Sequence, residues 1–279
     1  MRNIATAYQG YKTISVNDPL VLKLYEDKCT NHFDLLENQY LLIVDDNGIT
    51  VDRYKWQDGK HKIIYKKPID STQMGKIRPK NAEQELVIDM LMDETTTVKV
   101  ITGTWGSGKT FLACCAAYQL LQAAKFDKIV WIRNNIEVKD TNSIGALPGS
   151  YLEKMSIWAM PLADHLGGRD ELDKQISFGN IEVEHLGFLR GRDIRNSIIF
   201  CSEAEHLTRE HVQLLLGRVA EGSILILEGD CQQVDTRAFE KDNGLTAAID
   251  RLSGNRLFAY VHLKESVRSK TAKLADLLS

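Results

Sequence analysis

The sequence predicts an α/β chain in which a mainly parallel sheet is flanked by helices and preceded by a small antiparallel β meander. Three observations predict it. From about residue 77 short apolar runs alternate with helical patterns, the rhythm of a parallel sheet covered by helices. Residues 40–67 read instead as short strands separated by turn sequences. With 279 residues, 43% of them hydrophobic, the chain can bury one full core and a small appendage beside it.

The meander strands span 40–44, 49–56 and 62–66, and the turns between them are Asp45-Asp46-Asn47-Gly48 and Gln57-Asp58-Gly59-Lys60. A boundary near 71–75 separates a small β-rich N-terminal domain, 1–75, from a larger domain, 76–279. In the larger part the strand runs are 98–102, 128–132, 181–185, 197–201, 224–228 and 258–262. Helical patterns fill 82–92, 109–124, 151–166, 209–219, 245–252 and 269–278. No internal repeat or low-complexity tract interrupts them.

A net charge of −3 excludes a globally basic nucleic-acid binder, so any contact with a strand of phosphates must come from a local patch. Cys29, Cys114, Cys115, Cys201 and Cys231 form no CxxC or Cys/His spacing that would hold a metal, and no signal peptide precedes them. A reducing cytoplasm is expected. Apolar stretches such as 112–121 are too short to span a bilayer, so no membrane partner is expected.

The strand run 98–102 leads directly into Gly103-Thr104-Trp105-Gly106-Ser107-Gly108-Lys109-Thr110, after which a helix opens. This is the GxxxxGKT phosphate loop in the strand-to-helix context it requires. Glycines let backbone N–H groups turn inward around a phosphate, and the helix N-terminus adds partial positive charge. Lys109 can reach the β- and γ-phosphates of ATP, and the Thr110 hydroxyl can ligate Mg²⁺; Phe111 completes the candidate nucleotide set. Gln84, at the start of the preceding helix, offers a donor and an acceptor that match the adenine edge, although an ordinary surface glutamine would look the same.

The run 197–201 ends in Ser202-Glu203-Ala204-Glu205 and is expected to lie beside the phosphate-loop strand. Glu203 is the candidate to orient and deprotonate the attacking water, with Glu205 its rival. Most such enzymes carry aspartate where Ser202 stands. Serine supplies the magnesium shell only a neutral oxygen. After 224–228 comes Gly229-Asp230-Cys231-Gln232-Gln233, in which Gln233 can sense the γ-phosphate, and Asp230 either supports the metal or simply forms a turn. Arg268, after the last strand, either stabilises charge on the transferring phosphoryl group or is a surface arginine.

Taken together these elements resemble the PhoH family of P-loop ATPases, related to superfamily-1 helicases, and in particular its bacteriophage-type members. Beyond the phosphate loop the resemblance is carried by Ile132-Arg133, Gly145-Ala146-Leu147-Pro148-Gly149, Glu153-Lys154 and Pro161-Leu162-Ala163-Asp164. It continues through Phe188-Leu189-Arg190-Gly191-Arg192, Gly229-Asp230 with Gln233, Asn243-Gly244-Leu245 and Val267-Arg268. The chain departs from the family pattern at Ser202 for aspartate, Asn134 for proline and Glu205-His206 for Gln-Asn. The resemblance implies a Mg²⁺-dependent ATP hydrolase acting on single-stranded RNA or DNA and assembling as a ring, a hexamer.

One local feature bears on a strand partner. Residues 53–80 hold nine Lys/Arg against two Asp, with Tyr54, Trp56 and Tyr65 interleaved, which leaves the rest of the chain ten charges net acidic. Such a strip can follow phosphates while aromatic faces stack bases; equally, it can be a solvated sheet face with buried aromatics. Two functions follow from the residues together with the resemblance. One is an ATP-driven motor on nucleic acid. The other, motivated by Ser202, is a nucleotide-gated binding or assembly switch with little turnover. A small-molecule kinase would need a lid and acceptor pocket for which no segment stands out.

Overall fold

Residues 8–71, 74–133, 159–231 and 243–267 are described by the computed structural model. The first sheet has four strands: β1 (Tyr11–Ser15), β2 (Tyr40–Val44), β3 (Thr50–Gln57) and β4 (Lys60–Ile63), in that order. β2, β3 and β4 form the expected antiparallel meander, while β1 adds to β2 in parallel. Between β1 and β2 lies α1 (Pro19–Glu26), capped by Asp18, whose side chain accepts the Leu20 N–H at 2.8 Å. The two-stranded ribbon β5 (Ile69–Ser71) and β6 (Gly75–Ile77) occupies the boundary expected near 71–75. Asp70 N–H in that ribbon donates to Gln119 Oε1 at 3.0 Å. Tyr11, Tyr40, Leu42, Ile64 and Ile69 pack into the same apolar cluster as the helices that follow.

Those elements are α2 (Ala82–Met92), β7 (Val98–Gly103), α3 (Lys109–Gln122), β8 (Lys128–Arg133), α4 (Met160–Leu166), α5 (Arg169–Ser177) and β9 (Ile181–Glu184). They are completed by β10 (Ser197–Ser202), α6 (Arg209–Leu216), β11 (Ile224–Gly229), α7 (Gly244–Leu252) and β12 (Phe258–Leu263). Six strands pair in parallel in the order β12-β7-β11-β10-β8-β9. Near-continuous apolar runs suit strands covered on both faces. Residue alternation sorts them: Ile198, Phe200, Ile224 and Ile226 face the layer of α2 and α3, whereas Ile199, Cys201, Leu225 and Leu227 face α6 and α7. Residues 151–158 and 269–278 of the expected helices lie outside the described residues.

The order carries one correction. The strand ending at Ser202 is not the neighbour of the phosphate-loop strand, because β11 lies between β7 and β10. Both β10 and β11 are fully buried apolar runs, and nothing local in either decides which one inserts beside β7.

Lys99 of β7 is buried, and its Nζ donates to Leu91 O at 2.6 Å and Asp93 O at 2.7 Å, closing the C-terminal end of α2. Burial pushes its pKa down to about 7. Between that value and the unfolded lysine's pKa of about 10.4 the unfolded chain holds a proton that the folded chain does not, so folding gains as pH rises through this window. Lys99→Met should remove on the order of 1–2 kcal/mol of that gain between about pH 7 and 9. Urea midpoints for the two proteins across that range check it.

Candidate nucleotide site

The site is built at the C-terminal edge of the parallel sheet, where ligands of such sheets bind. β7 ends at Gly103, whose φ of 154° and whose lack of a side chain are both required: a Cβ there would stand 2.4 Å from Leu263 O. Ser107 Oγ donates to Thr104 O at 2.8 Å, and Val267 N–H donates to Gly106 O at 2.9 Å, so the loop is braced from within and from the segment after β12. α3 then starts from Gly108 in the left-handed region with no side-chain cap, unlike α1, α2, α6 and α7. Its first N–H groups therefore point into the loop without intrahelical acceptors, which is an anion-binding arrangement.

Lys109 Nζ donates to Gly103 O at 2.8 Å and Thr104 O at 3.2 Å, spanning the loop it would clear to meet a phosphate. Gln84 is buried, and both ends of its amide are engaged: Oε1 accepts Lys80 N–H and Nε2 donates to Ser107 O, each at 2.9 Å. In this arrangement it braces the loop, and adenine would have to replace one of those partners. Trp105 is half exposed on the loop, and the Phe111 ring turns to His165 of α4, with centroids 5.4 Å apart.

The strand alternation that buries Ile224 and Ile226 on the α3 side also directs residue 228 there, and the same parity in β10 brings residue 202 to it. Glu228 Oε1 accepts from Ser202 Oγ at 2.6 Å and from Thr110 Oγ1 at 3.1 Å. The carboxylate is 2% exposed. Burial pushes its pKa up, and the Ser202 hydrogen bond, the Lys109 charge and the Thr110 hydrogen bond pull it back. Sequence reasoning passed over Glu228 as the end of an apolar run. An acid closing the run Ile224-Leu225-Ile226-Leu227, in phase with the α3 face, was the available signal.

Glu203 follows directly, with φ 53° and ψ 49°, and pairs with Arg133 at the end of β8. Glu205 is buried one short turn further on, and its carboxylate accepts the Asp230 N–H at 3.2 Å. Desolvation, reinforced by the charge of Glu228, pushes its pKa up to about 8. Asp230 itself is buried, next to Gly229, which lies opposite Thr102 across β7. Lys109, Thr110, Ser202, Glu203 and Asp230 thus gather along one sheet edge, whereas Gln233 and Arg268 lie outside the described residues.

Among the described residues no group of three or more His, Cys, Asp or Glu side chains is arranged to hold a metal. A magnesium in a nucleotide site takes most of its ligands from phosphates and water, and Thr110 with the acid beside it fits the protein's share.

The basic strip is half internal. Lys55 is buried against Asp93, Arg53 pairs with Glu85, and Tyr54 is 4% exposed against His61. Lys60 and Lys80 remain exposed, as does a groove of about 340 Å³ lined by Lys66, Lys67, Pro68, Lys76, Arg78, Pro79 and Glu85, with Tyr65 67% exposed beside it in the chain.

A family model described as "PhoH-like protein" matches residues 76–277. The chain belongs to the PhoH-like protein family. The match spans the phosphate loop, β10, β11 and β12, so the described nucleotide-site residues, Gln84 to Asp230, lie on the family's own framework, a P-loop nucleotide-binding fold. The chain is 33% identical over 97% of its length to "Protein PhoH2" of Bacillus subtilis strain 168, covering 64% of that protein. It is 34% identical over 71% of its length to "Protein PhoH2" of Mycolicibacterium smegmatis, covering 46% of that protein. The chain therefore spans about half to under two thirds of these curated relatives. Among solved structures, "Crystal structure of Pif1 helicase from Candida albicans" aligns with a TM-score of 0.38 at 14% identity, over 72% of this chain and 44% of that one. Among the described residues no helix is long and apolar enough to cross a membrane.

Proposed function

We propose that the chain is a magnesium-dependent ATPase that couples hydrolysis to binding and remodelling of a single nucleic-acid strand. The observation that carries this reading is the uncapped α3 behind a glycine loop, with one lysine, two hydroxyls and an accessible glutamate along the adjoining strand ends. The α3 N–H groups and Lys109 bind the phosphates, the ammonium exchanging its two loop carbonyls for phosphate oxygens. Thr110 and the buried acid beside it would hold the magnesium, which when bound would supply positive charge against the β- and γ-phosphates. Glu203, released from Arg133, orients a water and takes its proton as the water oxygen bonds to the γ-phosphorus and the β–γ bridging oxygen departs. Gln233 as γ-phosphate sensor, Arg268 as charge stabiliser, Asp230 as support of the metal shell and Gln84 as adenine reader belong to the same proposal.

A second reading is favoured by two observations: serine at position 202 and a glutamate tied to Arg133. In it ATP switches strand affinity or ring assembly, a hexamer, with little turnover. Steady-state hydrolysis across a magnesium series, with and without single-stranded RNA and DNA, separates the two. Turnover stimulated by a strand supports the motor; tight binding without turnover supports the switch.

The strand is assigned to the outward groove. Changing Lys66, Lys67, Lys76 and Arg78 together to glutamate should abolish salt-sensitive binding of a labelled oligonucleotide, because each phosphate contact contributes a slope of about −0.7 in log affinity against log salt. Anisotropy titrations at several salt concentrations read it, with the melting temperature as a check on folding. Binding with an unchanged slope would move the interface to the ATPase edge.

A further inference from the structure

Glu228 is a buried carboxylate one strand away from where an acid was expected, and its surroundings do not account for it as packing. An ionised side chain is rarely left in the interior unless a cation or a full set of donors compensates it. Here Oε1 takes two neutral hydroxyls, Ser202 and Thr110, while the nearby ammonium of Lys109 is turned to the loop carbonyls. Thr110 is the loop hydroxyl positioned for magnesium, and Ser202 is the neutral residue at the strand end that should have carried the charge. Both point to the same oxygen. The parity of two strands makes this convergence obligatory: residues 224, 226 and 228 share the α3 face with residues 198, 200 and 202. Because β11, not β10, lies next to the loop strand, an acid on β11 stands nearer to α3 than an acid on β10 would.

We propose that Glu228 supplies the carboxylate that holds magnesium in the nucleotide site, with Ser202 as the neutral positioning residue that orients it. The site's negative charge has moved one strand across the sheet, and the serine is one half of an exchange, not a defect. This inference rests on the nucleotide-site reading above.

The test measures metal and nucleotide separately on the full chain. Manganese affinity is read by its electron paramagnetic resonance signal in the presence of ADP, and nucleotide affinity by a fluorescent ATP analogue in EDTA. Glu228→Gln keeps the shape and both hydroxyl contacts but removes the charge. It should weaken manganese at least about tenfold, within the range seen when groups that tune a metal site are removed, with metal-free nucleotide affinity held within about twofold. Ser202→Asp combined with Glu228→Gln returns the charge to β10 and should recover most of the loss. Wild-type manganese affinity in Glu228→Gln would overturn the proposal. Failure of the wild-type chain to bind the nucleotide analogue at all would overturn the nucleotide-site reading and this inference with it. Should Glu228→Gln not fold, iron-directed cleavage of the wild-type chain with ferrous ion and ADP decides: cuts around Glu228 as well as Thr110 support the assignment, and cuts that spare the end of β11 overturn it.

Discussion

Lys109→Ala is expected to weaken ATP binding by at least about a hundredfold and to bring hydrolysis to background, as read by isothermal titration and phosphate release. Each charge-assisted hydrogen bond to a phosphate contributes about 1.5–3 kcal/mol, so losing two costs on the order of 3–6 kcal/mol, or roughly two to four decades in affinity. A second effect reinforces the first. Lys109 is the cation whose charge favours ionised Glu228. Without it the buried acid holds its proton more tightly and offers less to a divalent ion. The fold should survive, because the lysine's present partners, Gly103 O and Thr104 O, belong to a loop that Gln84 and Val267 brace independently. ATP binding at wild-type affinity in this variant would remove the loop from the nucleotide site.

How much of this was legible in the sequence depends on how local each signal was. The phosphate loop could be read because its chemistry is set by backbone geometry over eight consecutive residues, and the alternating strands and helices around it by period alone. β1 and α1 were missed, although Asp18-Pro19 is a helix-start pair whose cap the structure confirms. α5 was missed because its composition is polar, with only Leu172 and Gln175 buried. Strand order was beyond reach, since two apolar runs of equal character can each occupy the place beside β7. With the order went Glu228, whose partners Ser202 and Thr110 lie 26 and 118 residues away in the chain. The basic strip was only partly legible for a related reason. Composition counted Lys55 and Arg53 as outward charges, but Asp93 and Glu85, each more than thirty residues on, draw them inward.

Glu203→Gln is expected to lower turnover by about 10²- to 10⁴-fold, the usual contribution of a general base, while ATP binding stays near wild type. Three glutamates crowd this sheet edge, and their environments separate their roles. Glu228 is spent on two hydroxyls, and Glu205 is buried with the Asp230 N–H. Burial pushes the pKa of Glu205 up to about 8, so at neutral pH it is mostly protonated and only a minor fraction is free to take a proton from water. Glu203 alone of the three is substantially open to solvent, its side chain 42% exposed, and the left-handed backbone at φ 53° turns it off the strand's alternation. A non-glycine residue in that region costs on the order of 1 kcal/mol or more, a strain found where a side chain must be aimed. Arg133 holds it there, opposite Ser202 in the sheet register. Glu205→Gln should therefore cost less than about tenfold in the same assay, since a carboxyl that is already protonated loses little by becoming an amide. If Glu203→Gln instead turns over at the wild-type rate while Glu205→Gln does not, the base is the buried acid. If neither variant changes a turnover that is low to begin with, Glu203 serves to fix Arg133, and the chain is a nucleotide-gated switch.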